Sequence, residues 1–227
     1  MQSAVQKKGE RMRPNYWANS WDQGGIKTCF HIPHVHPFIP KHITPDYLRD
    51  KHVLVPLCGK SVDLFYFSKY ARSVTGIELV KKAVEQFFDD NQISAKRVGD
   101  VYRYNNIEII NRDIFTIEKR NLADISIIYD RASLIAFPPD MRAGYIQKMK
   151  ELLPIGGSQF INTLEYGPHR DGPPFSVSPD DITDYYGASH KISQLERKNH
   201  TDHELMRHWD LDFIIENLFH LKRIAIK

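Results

Sequence analysis

Cysteine is scarce in this chain: the 227 residues hold only Cys29 and Cys58. Two thiols cannot make a disulfide framework, so a reducing compartment, the cytoplasm, is expected. No window approaches 18 uninterrupted apolar residues, which excludes a membrane-spanning helix. The opening run MQSAVQKKGERMRPN lacks the apolar stretch of a secretory signal. A surplus of one charge is also missing, since 31 basic and 28 acidic residues leave +3. The basic groups form no long runs, so neither nucleic acid nor membrane is expected as a partner. Internal repeats and low-complexity segments are absent as well. What remains is 41% apolar and 26% charged, the composition of a globular chain. A chain this long buries roughly 70% of its unfolded surface, enough for one real core. No long apolar surface helix demands a second copy, so a monomer is expected.

Residues 1–14 are polar and Lys/Arg-rich and read as a flexible lead-in, followed by a single domain over 15–227. Trp17 and Trp21 stand four apart, which puts both indoles on one face of a short helix. A Pro- and His-rich stretch follows, so residues 15–45 read as an N-terminal lid over the site. Apolar runs at 52–57, 73–78, 107–110, 124–130 and 158–165 predict strands. Helical patterns lie between them. The clearest has Val80, Ala83, Val84, Phe87 and Phe88 at i, i+3, i+4, i+7 and i+8. Two further strand-like runs, 192–195 and 218–226, finish the chain. Alternating strands and helices imply an α/β fold with a mostly parallel sheet flanked by helices.

In such sheets a ligand sits beyond the carboxyl ends of the strands. Here those ends are Leu57-Cys58-Gly59, Glu78, Asp113 and Asp130-Arg131, which are expected to converge on one cleft. Gly59 and Glu78 lie 19 residues apart across a strand–turn–helix–strand unit. That is the spacing by which a nucleoside-binding fold sets backbone against the ligand and a carboxylate on the ribose diol. A dinucleotide site would need G-x-G-x-x-G, whereas the turn reads C-G-K-S-V-D with one glycine. A phosphate loop would need glycine at position 54, which is Leu54. A nucleoside without phosphates fits better. S-adenosylmethionine is the obvious one, its sulfonium suited to the faces of Trp17, Trp21 or Phe30. His31, His34, His36 and His42 match no established zinc spacing, so no metal is expected. Cys58 reads as a small buried residue of the turn rather than a nucleophile.

The run Pro56-Leu-Cys-Gly-Lys-Ser-Val-Asp63, then Val74-Thr-Gly-Ile-Glu78, then Asp130-Arg-Ala-Ser-Leu-Ile-Ala136, closely resembles the thiopurine S-methyltransferase family. So does the front segment, Trp17-x-x-x-Trp21 followed by Phe30-His31, and the likeness runs in order from Trp17 to Gly187. The resemblance implies a Rossmann-like class I methyltransferase fold with a seven-stranded sheet whose last strand is antiparallel. It implies S-adenosylmethionine as methyl donor, S-adenosylhomocysteine as product, and a small-molecule sulfur nucleophile as acceptor. By position, Trp17, Trp21 and Phe30 would line the methionine and acceptor side. Leu57 and Gly59 would meet the cofactor through backbone, and Glu78 would hold the ribose. Asp113 and Ile114 would flank the adenine. Arg131 would contact the methionine carboxylate or the acceptor, favouring a thiolate as the catalytic residue. Phe30, Tyr166, Pro174 and Phe175 would supply an apolar acceptor pocket. His36 stands where relatives often have Asn, and Arg207 is the nearest candidate for the basic residue that relatives carry near the C-terminus. Methylation of halide or metalloid anions, or simple small-molecule binding, are the alternatives on the same fold.

Overall fold

The computed structural model describes residues 14–24, 28 and 30–225. The expected lead-in covers 1–14, and of it only Pro14 falls among the described residues, as the first residue of α1 (Pro14–Gln23). Cys29 lies outside the described residues. The chain then runs α2 (Phe38–His42), α3 (Pro45–Leu48), β1 (His52–Pro56), α4 (Asp63–Tyr70), β2 (Ser73–Glu78) and α5 (Lys81–Asp90). Next come β3 (Lys96–Val98), β4 (Val101–Tyr104), β5 (Ile107–Asn111), β6 (Ile127–Arg131) and α6 (Pro139–Leu152). It ends with β7 (Ser158–Gly167), α7 (Pro179–Tyr186), β8 (His190–Asn199), α8 (Glu204–Trp209) and β9 (Phe213–Arg223).

One sheet takes the order β3-β4-β5-β2-β1-β6-β7-β9-β8. The five central strands are parallel, and β9 runs antiparallel between β7 and β8. The sheet therefore has nine strands among the described residues, not seven. The two extra are the short hairpin β3–β4, which extends the sheet beyond β5. All three residues of β3 are exposed, so no buried alternation marks it in the sequence.

Successive residues of a strand face opposite sides, and β1 shows what that does in a covered sheet. Val53 and Val55 join a core with Leu64 and Phe67 of α4 and Phe87 of α5. Leu54 joins the other core, with Tyr145 and Met149 of α6 and Ile182 of α7. Both faces being covered, β1 reads as an unbroken apolar run. The stripe expected on α5 is fully buried, at 0% exposure for Ala83, Val84 and Phe87. Burying each large apolar side chain of this kind contributes about 1.5–3 kcal/mol. No described helix is long and apolar enough to cross a membrane.

β1 has β2 on one side and β6 on the other, so the chain winds outward in both directions from it. Where the winding direction reverses, the loops after neighbouring strands diverge and leave a crevice at their carboxyl ends. The turns after β1 and β6 carry left-handed residues, Leu57 (φ 47), Gly59 (φ 52) and Ala132 (φ 62).

Candidate active site

A cavity of about 650 Å³ opens at this reversal point. It gathers Trp17, Trp21, Phe30, Leu57, Gly59, Glu78, Asp113, Ile114, Arg131 and Pro174, ten of the residues expected from the sequence.

Glu78 ends β2 and is 6% exposed. Its Oε2 accepts the Gly59 N–H at 2.8 Å and its Oε1 accepts the Val80 N–H at 2.7 Å. Each carboxylate oxygen has a second lone pair. Burial pushes this acid up to about 7, against the lowering effect of the backbone N–H groups of Val80, Gly59 and Leu79. Asn111 fixes the strand end by donating to the carbonyls of Glu78 and Leu79, both at 2.9 Å. Gly59 is required twice over. Its φ is left-handed, and a Cβ there would stand 2.9 Å from Trp21 Cζ2. Gly76 of β2 has a related constraint, because a Cβ would meet Cys58 Sγ at 2.6 Å. Cys58 is thus the buried spacer under the turn, and burial followed by the Glu78 charge drives its thiol well up, away from nucleophilic use.

Trp17 and Trp21 lie on one face of α1, as their spacing requires, and both meet Phe30 edge to face, at centroid distances of 6.0 and 5.6 Å. Asp113 caps the short turn after β5, its Oδ1 accepting the Phe115 N–H at 2.9 Å, while Ile114 is buried beside it. Arg131 ends β6 and donates through Nη1 to the Phe30 carbonyl at 3.0 Å. Its Nε stands 3.3 Å from Asp63 Oδ2, and Asp63 Oδ1 accepts the His36 N–H at 2.9 Å. One buried carboxylate therefore ties the front segment to the end of β6.

Three expectations need correction. Asp130 does not face the cleft; it is fully buried, accepting from Tyr145 Oη at 2.7 Å and the Leu134 N–H at 3.0 Å. Asp130 and Arg131 are consecutive in a strand and so point to opposite faces. Tyr166 and Phe175 are not among the lining residues of the cavity. Tyr166 is buried against Leu205, Leu211 and Ile214, and its hydroxyl donates to the Pro174 carbonyl at 2.8 Å. Phe175 is buried behind the loop, its N–H donating to the Ile135 carbonyl at 2.7 Å. Both brace the loop whose Pro173 and Pro174 do line the cavity. Arg207 is exposed and pairs with Asp202, while His203, Leu205, His208 and Trp209 around it line the cavity.

Of the far wall, formed by His36, Asn162, His200 and Glu216, the sequence reading singled out only His36. Glu216 Oε1 meets His36 Nε2 at 2.8 Å and accepts from Asn162 Nδ2 at 3.0 Å, and its Oε2 meets His200 Nε2 at 3.0 Å. Burial alone would raise Glu216, but the hydrogen bond from His36, then those from Asn162 and His200, hold it down at about 2. The available signal was one acid inside the apolar run of β9, FIIENLFHL. His42, by contrast, pairs with Glu196 at 2.5 Å, and no group of three or more His, Cys, Asp and Glu among the described residues is arranged to hold a metal ion.

Comparison with known proteins agrees with this geometry. The family model "Thiopurine S-methyltransferase (TPMT)" matches residues 12–224. The thiopurine S-methyltransferase of Pseudomonas fluorescens (strain SBW25) is 36% identical over 194 residues, 83% of this chain and 88% of its own. That of Shewanella frigidimarina (strain NCIMB 400) is 38% identical over 191 residues, 82% of this chain and 86% of its own. Among solved structures, the 1,6-didemethyltoxoflavin-N1-methyltransferase of Burkholderia thailandensis, with bound 1,6-didemethyltoxoflavin and S-adenosylhomocysteine, aligns with TM-score 0.63 at 13% identity. The alignment covers 98% of this chain and 92% of that one, and it speaks for the fold alone. With the S-adenosylmethionine-dependent methyltransferase fold and a family match over nearly its whole length, this chain belongs to the thiopurine S-methyltransferase family.

Proposed function

We propose that this protein transfers the methyl group of S-adenosylmethionine to the sulfur of a small aromatic or heterocyclic thiol such as a thiopurine. The observation that carries the reading is Glu78: a buried acid, facing the cavity, with both oxygens steered by backbone N–H groups. Two backbone donors occupy one lone pair on each oxygen, which leaves one on each for a vicinal diol. The residues present fit an adenosyl group without phosphates. Glu78 would hold the ribose, and Leu57 and Gly59 would approach through their backbones. Asp113 would accept from the adenine amino group, with Ile114 against the ring.

What the bound donor would supply is an electrophilic methyl carbon on a sulfonium, open to in-line displacement. The chain's own part is to position and to exclude water, which can contribute about 7–11 kcal/mol to the rate. Trp17, Trp21 and Phe30 would offer aromatic faces and edges near a sulfonium. Arg131, fixed by Asp63 and the Phe30 carbonyl, would orient the methionine carboxylate or lower the pKa of an acceptor thiol through its positive charge. Pro174 and Phe30 would form the apolar acceptor wall, with Tyr166 and Phe175 bracing it from behind.

The test is a panel of acceptors, comprising an aryl thiol, hydrosulfide, iodide, selenite and tellurite, with methyl transfer from labelled donor measured for each. Preferential turnover of the aryl thiol is the expected result. Turnover of the inorganic anions alone, or of nothing, would overturn it.

A further inference from the structure

The far wall of the cavity has a chemistry that pre-ionised thiols do not need. His36 is fully engaged: its Nε2 meets Glu216, and its Nδ1 accepts the Phe38 N–H at 3.3 Å. Accepting at Nδ1 puts the ring proton on Nε2, where it is donated to Glu216. His200 differs. Its Nε2 meets the other oxygen of the same carboxylate at 3.0 Å, and its Nδ1 has no hydrogen-bond partner among the described residues. Its backbone is pinned as well, the N–H donating to the Ile214 carbonyl at 3.0 Å. A carboxylate holding one imidazole nitrogen of a cavity-lining histidine, with the other nitrogen left without a partner, is the arrangement of an oriented general base. The position agrees. Asn162, which donates to Glu216, is the sheet neighbour of Arg131, so this wall adjoins the acceptor side of the site.

From this geometry we propose that His200, oriented by Glu216, removes the proton from acceptors that arrive protonated, so that the enzyme serves weakly acidic thiols as well as the acidic aryl and heterocyclic ones. The proposal rests on the thiol reading above and widens its acceptor class to thiols that are protonated at neutral pH. The thiol S–H bond breaks and its proton passes to His200 Nδ1. The sulfur lone pair forms the new S–C bond, while the donor's C–S⁺ bond breaks and its electron pair stays on the donor's sulfur. Glu216 then faces an imidazolium, which its charge stabilises, and the proton leaves to solvent. The groups set against His200 are Glu216 from β9 and His203 from its own segment, with ring centroids 5.5 Å apart; His36 lies beyond the carboxylate, and Lys198 of β8 lines the same cavity. Burial lowers the His203 imidazole, so His203 contributes little competing charge.

The experiment compares kcat/KM for 2-mercaptoethanol, mostly protonated at pH 7.5, with that for an aryl thiol carrying electron-withdrawing groups and fully ionised there. In His200→Asn the ratio of the first to the second is expected to fall about 100-fold or more, the usual worth of a positioned base. The remaining activity on 2-mercaptoethanol should climb about tenfold per pH unit towards the pKa of the thiol itself, as the acceptor loses its proton unaided. Equal losses on both thiols, or an unaltered pH profile, would overturn the proposal. S-adenosylhomocysteine affinity by titration reports whether the variant is folded. Should His200→Asn fail to fold, Glu216→Gln, which keeps the volume, must shift the same ratio in the same direction, and no shift again overturns the proposal. If the wild-type protein methylates neither thiol, the thiol reading itself falls, and that outcome is separate from any effect of the substitutions.

Discussion

The Arg131 guanidinium and the Asp63 carboxylate stand 3.3 Å apart, with Asp63 only 1% exposed. Asp63 opens α4 and Arg131 closes β6, so the pair locks a helix start to a strand end. Its second oxygen holds the His36 N–H, which leads through the His36 ring to Glu216. One connected set of polar bonds thus links β6, α4, the front segment and β9.

Asp63→Asn leaves the shape but removes the charge that faces Arg131. An asparagine also cannot accept at both ends, so either Arg131 or the His36 N–H loses its partner. Removing one partner of a buried ion pair costs about 3–5 kcal/mol, and the slight exposure of Arg131 places the expected loss near the lower figure, about 3 kcal/mol. Urea unfolding measures it. A loss below about 0.5 kcal/mol would show that Asp63 does not hold Arg131.

Gly59→Ala puts a side chain where φ is +52 and where Trp21 Cζ2 lies 2.9 Å away. The strain costs about 1 kcal/mol before any shift of the indole. For a chain of this length that lowers the thermal midpoint by about 2–4 °C per kcal/mol. S-adenosylhomocysteine affinity should fall more than tenfold, because both the turn and the aromatic wall move. Calorimetric titration beside a thermal scan checks both, and an unchanged affinity would remove Gly59 from the binding turn.

The pH dependence of binding follows from Glu78. Burial raises its pKa to about 7, so below that value the free protein holds the acid protonated. A ribose diol donates to the ionised form, and binding must therefore expel the proton. Affinity for S-adenosylhomocysteine is expected to weaken as pH falls through 7, by about tenfold between pH 8 and pH 6. Titrations at pH 6, 7 and 8 measure it, with proton release at the low end as the companion signal. A dissociation constant flat across that range would contradict the assignment.

The sheet and the turns that face the cavity were legible because both rest on local patterns. The apolar run of β1, the glycine at its tip and the acid at the end of β2 lie within 27 residues, and their spacing reports their geometry directly. The α5 stripe was legible for the same reason. The hairpin β3–β4 was not, since an exposed three-residue strand carries no burial pattern. The far wall was hidden for a different reason. His36, Asn162 and the His200–Glu216 pair come from distant segments, and the pairings of β7 and β8 with β9 and the docking of the front segment bring them together. Tyr166 and Phe175 sit beside the right loop, but the sequence does not say that they face the core while the prolines between them face the cavity.

A crystal structure of the protein with S-adenosylhomocysteine tests the account most directly, through the distances from the Glu78 carboxylate oxygens to the two ribose hydroxyls. Both oxygens are expected within hydrogen-bond range, about 2.5–3.0 Å. A sugar seated elsewhere, with Glu78 bound only to the Gly59 and Val80 amides, would contradict it.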